Sequence, residues 1–332
     1  MKVAYIVGPG KLELREIEQP VAGPRDVVVE VAMAGVCGSD LGMLAMGGVG
    51  GRPTPLGHEL SGTIVEAGSE VISARVGDRV ALNPLFNMIG NGGAEGGFAR
   101  HLLVRDVVTN PGSLLTIPET MDFEKGALVE PVAVAIHAAN RLGASPGDKV
   151  AIFGAGPIGL AILAILRHRG FDDIVVFELS PFRRERAEAL GASAVIDPSQ
   201  EDANEALIAH HGQLEGAYAQ TAKTSHYVEA AGAPILPEIV ANAAPRSTIL
   251  VVALHKQPEP IAFLHVMVKE LTITGTMGYP EEMGEAIDII ESGLVDFTPL
   301  VSHRFAGDDV LEAFAAAKEA GSSAKVLVDF RR

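Results

Sequence analysis

The sequence predicts an α/β protein in which a β-rich first third leads into a doubly wound parallel sheet. Three observations point there: short β-branched runs cut by Gly and Pro before residue 124, alternating strand-length and helix-length runs after residue 148, and a glycine-rich turn at residues 154–159 that joins one kind of run to the other. "MKVAYIVGPG" reads as a first strand ending in a turn. "DVVVEVAMAG", "LSGTIVEAG", "VGDRVAL" and "FARHLLVRD" follow as further strands, each bounded by turn residues. The character changes at "EKGALVEPVAVAIHAANRLG", which has helical spacing and length. Next come "KVAIFG" as strand, "IGLAILAILRHRG" as helix, "DIVVFE" as strand, "PFRRERAEALG" as helix and "ASAVID" as strand. This rhythm predicts βαβ units with a sheet covered on both faces. "EGAYAQTAKTSHYVEAAGA" is less regular. "STILVVAL" and "LTITGTM" resume the strands, "PEEMGEAIDIIESG" and "GDDVLEAFAAAKEAG" are amphipathic helices, and "AKVLVDF" is a last strand.

Composition bounds the function. A chain of 332 residues is long enough for two ordinary domains, and 48% hydrophobic residues with 37 Gly and 20 Pro suit a globular, turn-rich fold. One cysteine permits no intrachain disulfide, so a cytoplasmic location is expected and the thiol is a ligand, a nucleophile or packing. The N-terminus lacks the apolar core of a secretory signal. The most apolar stretch, 151–166, is interrupted by glycines and falls short of the roughly 20 residues a membrane helix needs. A net charge of −16 disfavours nucleic acid and anionic lipid, so no nucleic-acid or membrane partner is expected, and a phosphate-bearing ligand would have to be held by local backbone geometry.

"VAIFGAGPIGLAILAI" supplies such geometry. Gly154, Gly156 and Gly159 stand in G-x-G-x-x-G spacing between a strand and an apolar helix. The first allows a tight turn, the second leaves room for a pyrophosphate, the third lets helix and strand pack closely, and helix N-terminal N–H groups hold the phosphates. Glu178, ending "IVVFE", can accept the ribose hydroxyls of NAD and would repel the 2′-phosphate of NADP. Arg183 and Arg184 leave NADP open, or stack on adenine, or solvate the helix.

A second constellation lies in the β-rich part. Taken singly, Cys37 is packing and the pair His58 and Glu59 in "PLGHELSG" is polar surface. Together they offer thiolate, imidazole and carboxylate, the ligand types of a catalytic zinc site with a position left open. Glu130 in "LVEPVAV" adds a second carboxylate where the β-rich part meets the nucleotide domain.

The motifs "GVCGSDL", "PLGHELSGTIVEAG", "VGDRVAL", "GGFARHLLV", "ALVEPVAVAIHA", "VAIFGAGPIG", "FELSPFRRERAEALGA", "EAAGA", "KELTITGTMGY" and "LVSHRF", in this order, resemble the zinc-dependent medium-chain dehydrogenases/reductases, in the sorbitol and butanediol dehydrogenase branch. The resemblance implies a GroES-like catalytic domain (1–130 and 277–332) around a Rossmann NAD-binding domain (131–276), and a homodimer or homotetramer. It places Cys37, His58 and Glu59 at zinc-ligand positions. Glu130 stands at a position that is a cysteine ligand in some relatives and a nearby, water-linked glutamate in others, so whether Glu59 or Glu130 binds directly stays open. Ser39 matches the hydroxyl that passes the substrate proton on, with Glu59 and Glu130 as its catalytic companions. Gly154, Gly156, Pro157, Ile158, Gly159, Glu178, Arg183 and Leu254 match cofactor contacts. The implied reaction is NAD-linked oxidation of an alcohol, zinc lowering its pKa.

Departures from the family shape the expectation. "NPLFNMIGNGGAEGG" is short and free of cysteine where many relatives hold a structural zinc, so one zinc per subunit and a loop held by turns alone are expected. Gly42 replaces a histidine that ends the proton relay in many relatives. Gly278 replaces an arginine that reaches substrate hydroxyls in polyol-oxidising members, and Met43, Leu44 and Met46 suggest an apolar pocket. A secondary alcohol, a vicinal diol or the matching ketone is therefore expected as substrate. The alternatives are a polyol dehydrogenase, a zinc-free quinone reductase and a nucleotide-binding protein without turnover.

Overall fold

The computed structural model describes residues 1–216, 220–279 and 281–332. Its fold is α/β, with a mixed β-sheet and a separate parallel sheet. The parallel sheet has the strand order Ala194–Ile196, Ile174–Phe177, Val150–Phe153, His226–Glu229, Thr248–Val251, Thr272–Gly275. Every neighbouring pair in it is parallel. The order reverses between Val150–Phe153 and His226–Glu229, which opens a crevice at the carboxyl ends of the strands, where ligands bind in such sheets.

The mixed sheet is built from both ends of the chain. Val27–Val36 pairs antiparallel with Glu59–Ala67 on one side and with Lys325–Asp329 on the other, and Val301–Ala306 extends the sheet parallel to that last strand. Glu59–Ala67 continues through Arg79–Leu82 to Leu114–Thr116, and His101–Val104 pairs with Val27–Val36. Alternation places Val27, Val29 and Val31 in one core with Ile64, Leu82 and Phe314.

The helix Pro157–His168 buries Leu160, Ile162, Leu163, Ile165 and Leu166 against the parallel sheet. Each such burial contributes about 1.5–3 kcal/mol, so this apolar run is core. Among the described residues, no helix is long and apolar enough to cross a membrane.

Local differences from the sequence reading bear on the site. The stretch read as one helix from residue 124 is two, Phe123–Ala127 and Val129–Leu142, broken at Leu128. Asp122 caps the first by accepting from the Lys125 N–H at 2.8 Å. "GSDLGMLAM" forms a helix, Gly38–Met46, which the pattern did not reveal; Gly47 ends it at φ 87°. Met43 and Leu44 on it are core residues, and of the three residues expected to line an apolar pocket Met46 alone is exposed. The loop at 83–97 is not held by turns alone. Arg105 pairs with Glu95 at 2.7 Å, and Asn87 donates from its side chain to the Arg105 carbonyl at 2.8 Å. The irregular segment between 212 and 231 contains an isolated bridge, Gln213 to Ala222, and the strand His226–Glu229; residues 217–219 and Pro280 lie outside the described residues.

Candidate metal and nucleotide site

Strand register explains why distant residues meet. Gly35 stands opposite Glu59, and Val36 opposite Val326. Cys37 follows the central strand, His58 precedes its neighbour, and Lys325 opens the strand on the other side, so all reach the same end of the sheet. The donor atoms of Cys37, His58 and Glu59 lie within 4.8 Å of one another. A thiol, an imidazole and a carboxylate converging at a largely buried point fit a zinc ion.

The surroundings hold these groups in place. Cys37 is the N-cap of Gly38–Met46, and its N–H donates to Asp40 Oδ2 at 2.9 Å. The other oxygen of the fully buried Asp40 lies 3.4 Å from His58 Nδ1, which puts a carboxylate charge against the ring. Ser39 Oγ is 3.4 Å from His58 Nε2 on the opposite edge. His58 has its pKa pushed well above the ordinary imidazole range: burial opposes the charge, and Asp40 and Cys37 overcome it.

Glu59 is fully buried, and both its oxygens accept from Lys325 Nζ, at 2.7 and 2.6 Å. Lys325 also donates to the Val36 carbonyl at 3.2 Å. The Glu59 carboxylate presses against Gly35, whose missing side chain leaves it room. Glu130 lies in the first turn of Val129–Leu142, buried beside the triplet but outside it. Burial, and then the charge of Glu59, push its carboxyl up to about 7, against the pull of His58, Lys325 and a hydrogen bond from Tyr279. Burial and Glu130 in turn raise the Tyr279 hydroxyl far above its usual range.

The crevice of the parallel sheet holds a cavity of about 680 Å³ lined by Gly154, Gly156, Glu178, Arg183, Ala231 and Gly321. Gly154 has φ 101°, and a Cβ there would meet the Ala231 backbone at 2.8 Å. A Cβ on Gly159 would run into the Gly154 carbonyl, so both glycines are required by close approach. Gly156 caps the helix and Pro157 opens it, with Ile158 packed against the core. Glu178 accepts from the Ala155 N–H at 2.7 Å and from the Ser180 N–H at 2.8 Å, which places its carboxylate beside the glycine turn. Arg183 donates from Nε to the Ser323 carbonyl at 2.7 Å; burial lowers its pKa and Glu178 opposes the shift. Arg184 is bound to Asp197 at 2.9 Å. Leu254 is 74% exposed and does not line the cavity.

Asp40, Lys325 and Tyr279 were not found by sequence reasoning. Asp40 had a local signal, its capping-box spacing from Cys37. Lys325 had a weaker one, a charge inside an apolar strand.

Comparison with known proteins agrees with this geometry. Residues 23–112 match the alcohol dehydrogenase GroES-like domain, and residues 157–292 match the zinc-binding dehydrogenase model. The chain is 31% identical to (R,R)-butanediol dehydrogenase of Bacillus subtilis (strain 168), over 99% of each chain. It is 33% identical to sorbitol dehydrogenase of Pongo abelii, over 97% of this chain and 93% of that one. The structure of an alcohol dehydrogenase from E. coli CFT073, described as short chain and complexed with NADH, superposes with a TM-score of 0.86 at 27% identity, covering 99% of both chains. With a GroES-like and a zinc-binding dehydrogenase match on one chain, and butanediol and sorbitol dehydrogenases as full-length relatives, the protein belongs to the zinc-dependent medium-chain dehydrogenase/reductase family of oxidoreductases, in its sorbitol and butanediol dehydrogenase branch.

Proposed function

We propose that this protein is a zinc-dependent, NAD-linked dehydrogenase that interconverts a secondary alcohol or vicinal diol and its ketone. The observation that carries the proposal is the convergence of Cys37, His58 and Glu59 donor atoms within 4.8 Å. Held by these residues with Glu130 adjacent, zinc would supply a Lewis acid that lowers the pKa of an alcohol, and bound nicotinamide would supply the hydride acceptor. Asp40 sets its charge beside the His58 ring, and Ser39, half-buried on the far edge of that ring, takes the hydroxyl proton. Glu130, buried in the first turn of Val129–Leu142, is a second carboxylate beside this path. Beyond Ser39, a Cβ on Gly42 would meet nothing within 4 Å, which leaves room for water to carry the proton out.

NAD is favoured over NADP by the Glu178 carboxylate at the ribose end and by Arg184 being committed to Asp197. The apolar substrate reading is supported at Gly278: a Cβ there would approach Leu85 at 3.8 Å, and Met277 beside it is exposed. Similarity to sorbitol dehydrogenase keeps a polyol as the second reading. A single cysteine in the chain supports one zinc per subunit and a cytoplasmic setting. Residues 1–130 with 277–332 act as the catalytic unit and 131–276 as the nucleotide unit, in keeping with the pairing of Lys325–Asp329 to Val27–Val36.

The test is a spectrophotometric screen of NADH and NADPH with alcohols and ketones, before and after chelation. NADH-linked turnover of 2,3-butanediol or its ketone, lost on chelation, is expected. Saturable sorbitol oxidation with no response to diols or simple ketones would favour the polyol reading. Undiminished turnover without zinc would reject both.

A further inference from the structure

Outside the metal cluster, one group of titratable side chains is bonded to the turn that lines the nucleotide crevice. His255, in the loop after Thr248–Val251, has Nε2 2.7 Å from Glu229 Oε2 and Nδ1 against Glu259 Oε1. An ionised carboxylate offers only acceptors, so with both glutamates ionised an imidazole that bonds the two donates from both nitrogens as an imidazolium. Glu229 is fully buried at the end of His226–Glu229, and its other oxygen accepts the Ala231 and Gly232 N–H groups at 2.8 and 2.7 Å. Glu259 accepts the Leu236 N–H at 3.1 Å, at the start of the helix Leu236–Asn242.

These bonds form one connected path. The turn 230–232 packs directly on Gly154, and Ala230 and Ala231 line the 680 Å³ cavity. The same turn meets the loop from above: a Cβ on Gly232 would stand 3.1 Å from the Leu254 carbonyl, and the Val252 N–H donates to the Glu229 carbonyl at 2.9 Å. Glycine turn, cavity floor and the loop 252–262 therefore share one ionic pin.

We infer that His255 is a positioning residue for the dinucleotide: its imidazolium, clamped between Glu229 and Glu259, holds the loop 252–262 and the turn 230–232 in the arrangement that receives NADH. The inference rests on the NAD-linked reading above. The charged groups facing His255 are Glu229 from the strand and Glu259 from its own loop, with Lys256 beside it at the rim of the same shallow pocket; the helix packed there contributes the Leu236 backbone. Burial works against the His255 charge, and Glu229 and Glu259 overcome it, raising its pKa above the ordinary value. A raised pKa means that the clamp is complete at low pH and is lost as pH rises through that value. NADH affinity falls with it.

The experiment is direct NADH binding by fluorescence between pH 6 and 9 on the wild type, His255→Gln and Glu259→Gln. Wild-type affinity is expected to drop about tenfold across the transition, a typical size for one coupled contact. His255→Gln should be flat at the weak level, and Glu259→Gln should move the transition to lower pH. In turnover, KM for NADH should move while kcat holds. A merely structural histidine would lower the melting temperature and leave these profiles unchanged; that result overturns the inference. Should His255→Gln fail to fold, hydrogen exchange of wild-type peptides spanning 252–262, corrected for intrinsic rates, serves instead. Protection must fall as pH rises, and pH-independent protection overturns the inference. A wild type that binds neither NADH nor NADPH at any pH would instead remove the nucleotide reading itself.

Discussion

Cys37 and Lys325 are the residues on which the metal site turns, and they fail in different ways. Replacing Cys37 by Ala removes the thiolate from a three-donor set without touching the glycine turn. The expected outcome is loss of stoichiometric zinc by elemental analysis and loss of turnover, with NADH binding by fluorescence retained. Lys325 tests the apoprotein. Among the described residues, its ammonium is the side chain that donates to the Glu59 carboxylate, both groups being almost wholly buried. Lys325→Met should therefore cost the metal-free protein about 3–5 kcal/mol in denaturant unfolding, the scale of an uncompensated buried charge. Adding Glu59→Gln to that variant should recover much of the loss, because the orphaned charge is gone. Equal stability of Lys325→Met and wild type would show that Glu59 is neutral when metal is absent.

At the scale of elements, the helix Ala203–His211 is tied to the parallel sheet through its last residue. His211 Nδ1 lies 2.7 Å from Thr224 Oγ1 and Nε2 lies 3.3 Å from Asp173. Burial, only partly offset by Asp173, lowers its pKa to about 4. The unfolded chain then binds a proton that the native protein refuses, so stability from this group is full above about 6.5 and is lost as pH falls towards 4. We expect unfolding free energy to drop by about 1–2 kcal/mol over that window, allowing for screening, and the slope to flatten in His211→Gln. The strands and the glycine turn were legible because a period of two, or a G-x-G-x-x-G between strand and helix, is a local signal. The break at Leu128 and the helix after Cys37 were not. The first follows from Phe123–Ala127 lying on the sheet, where the Phe123 carbonyl accepts from Ser61 Oγ; the second is a short helix in a glycine-rich run with a weak apolar face. Lys325 and Glu59 are 266 positions apart, and no local pattern links them.

For the whole molecule, the edge of the parallel sheet invites a partner. Thr272–Gly275 is its terminal strand, and the preceding helix Phe263–Val268 buries none of its residues. Phe263 is 75% exposed, Leu264 65% and Met267 67%. An open strand edge beside such a patch is a pairing surface, and we propose that a second copy of the chain covers it, as expected for a homodimer or the dimer unit of a homotetramer. Light scattering after size exclusion should report an even oligomer, and Leu264→Asp with Met267→Lys should shift it to a smaller species with the metal content intact. A wild-type monomer at micromolar concentration would refute this.

The strand that brings Lys325 to Glu59 comes after every other described strand in the order of the sequence. Until it leaves the ribosome, Val27–Val36 has an open edge where Lys325–Asp329 will pair, and Glu59 lacks its counter-charge. The parallel sheet, complete by residue 275, can form first. Synthesis in this order lets the nucleotide crevice form before the metal site, which waits for Lys325–Asp329. A chain truncated before residue 325 should accordingly keep the first and lack a finished version of the second.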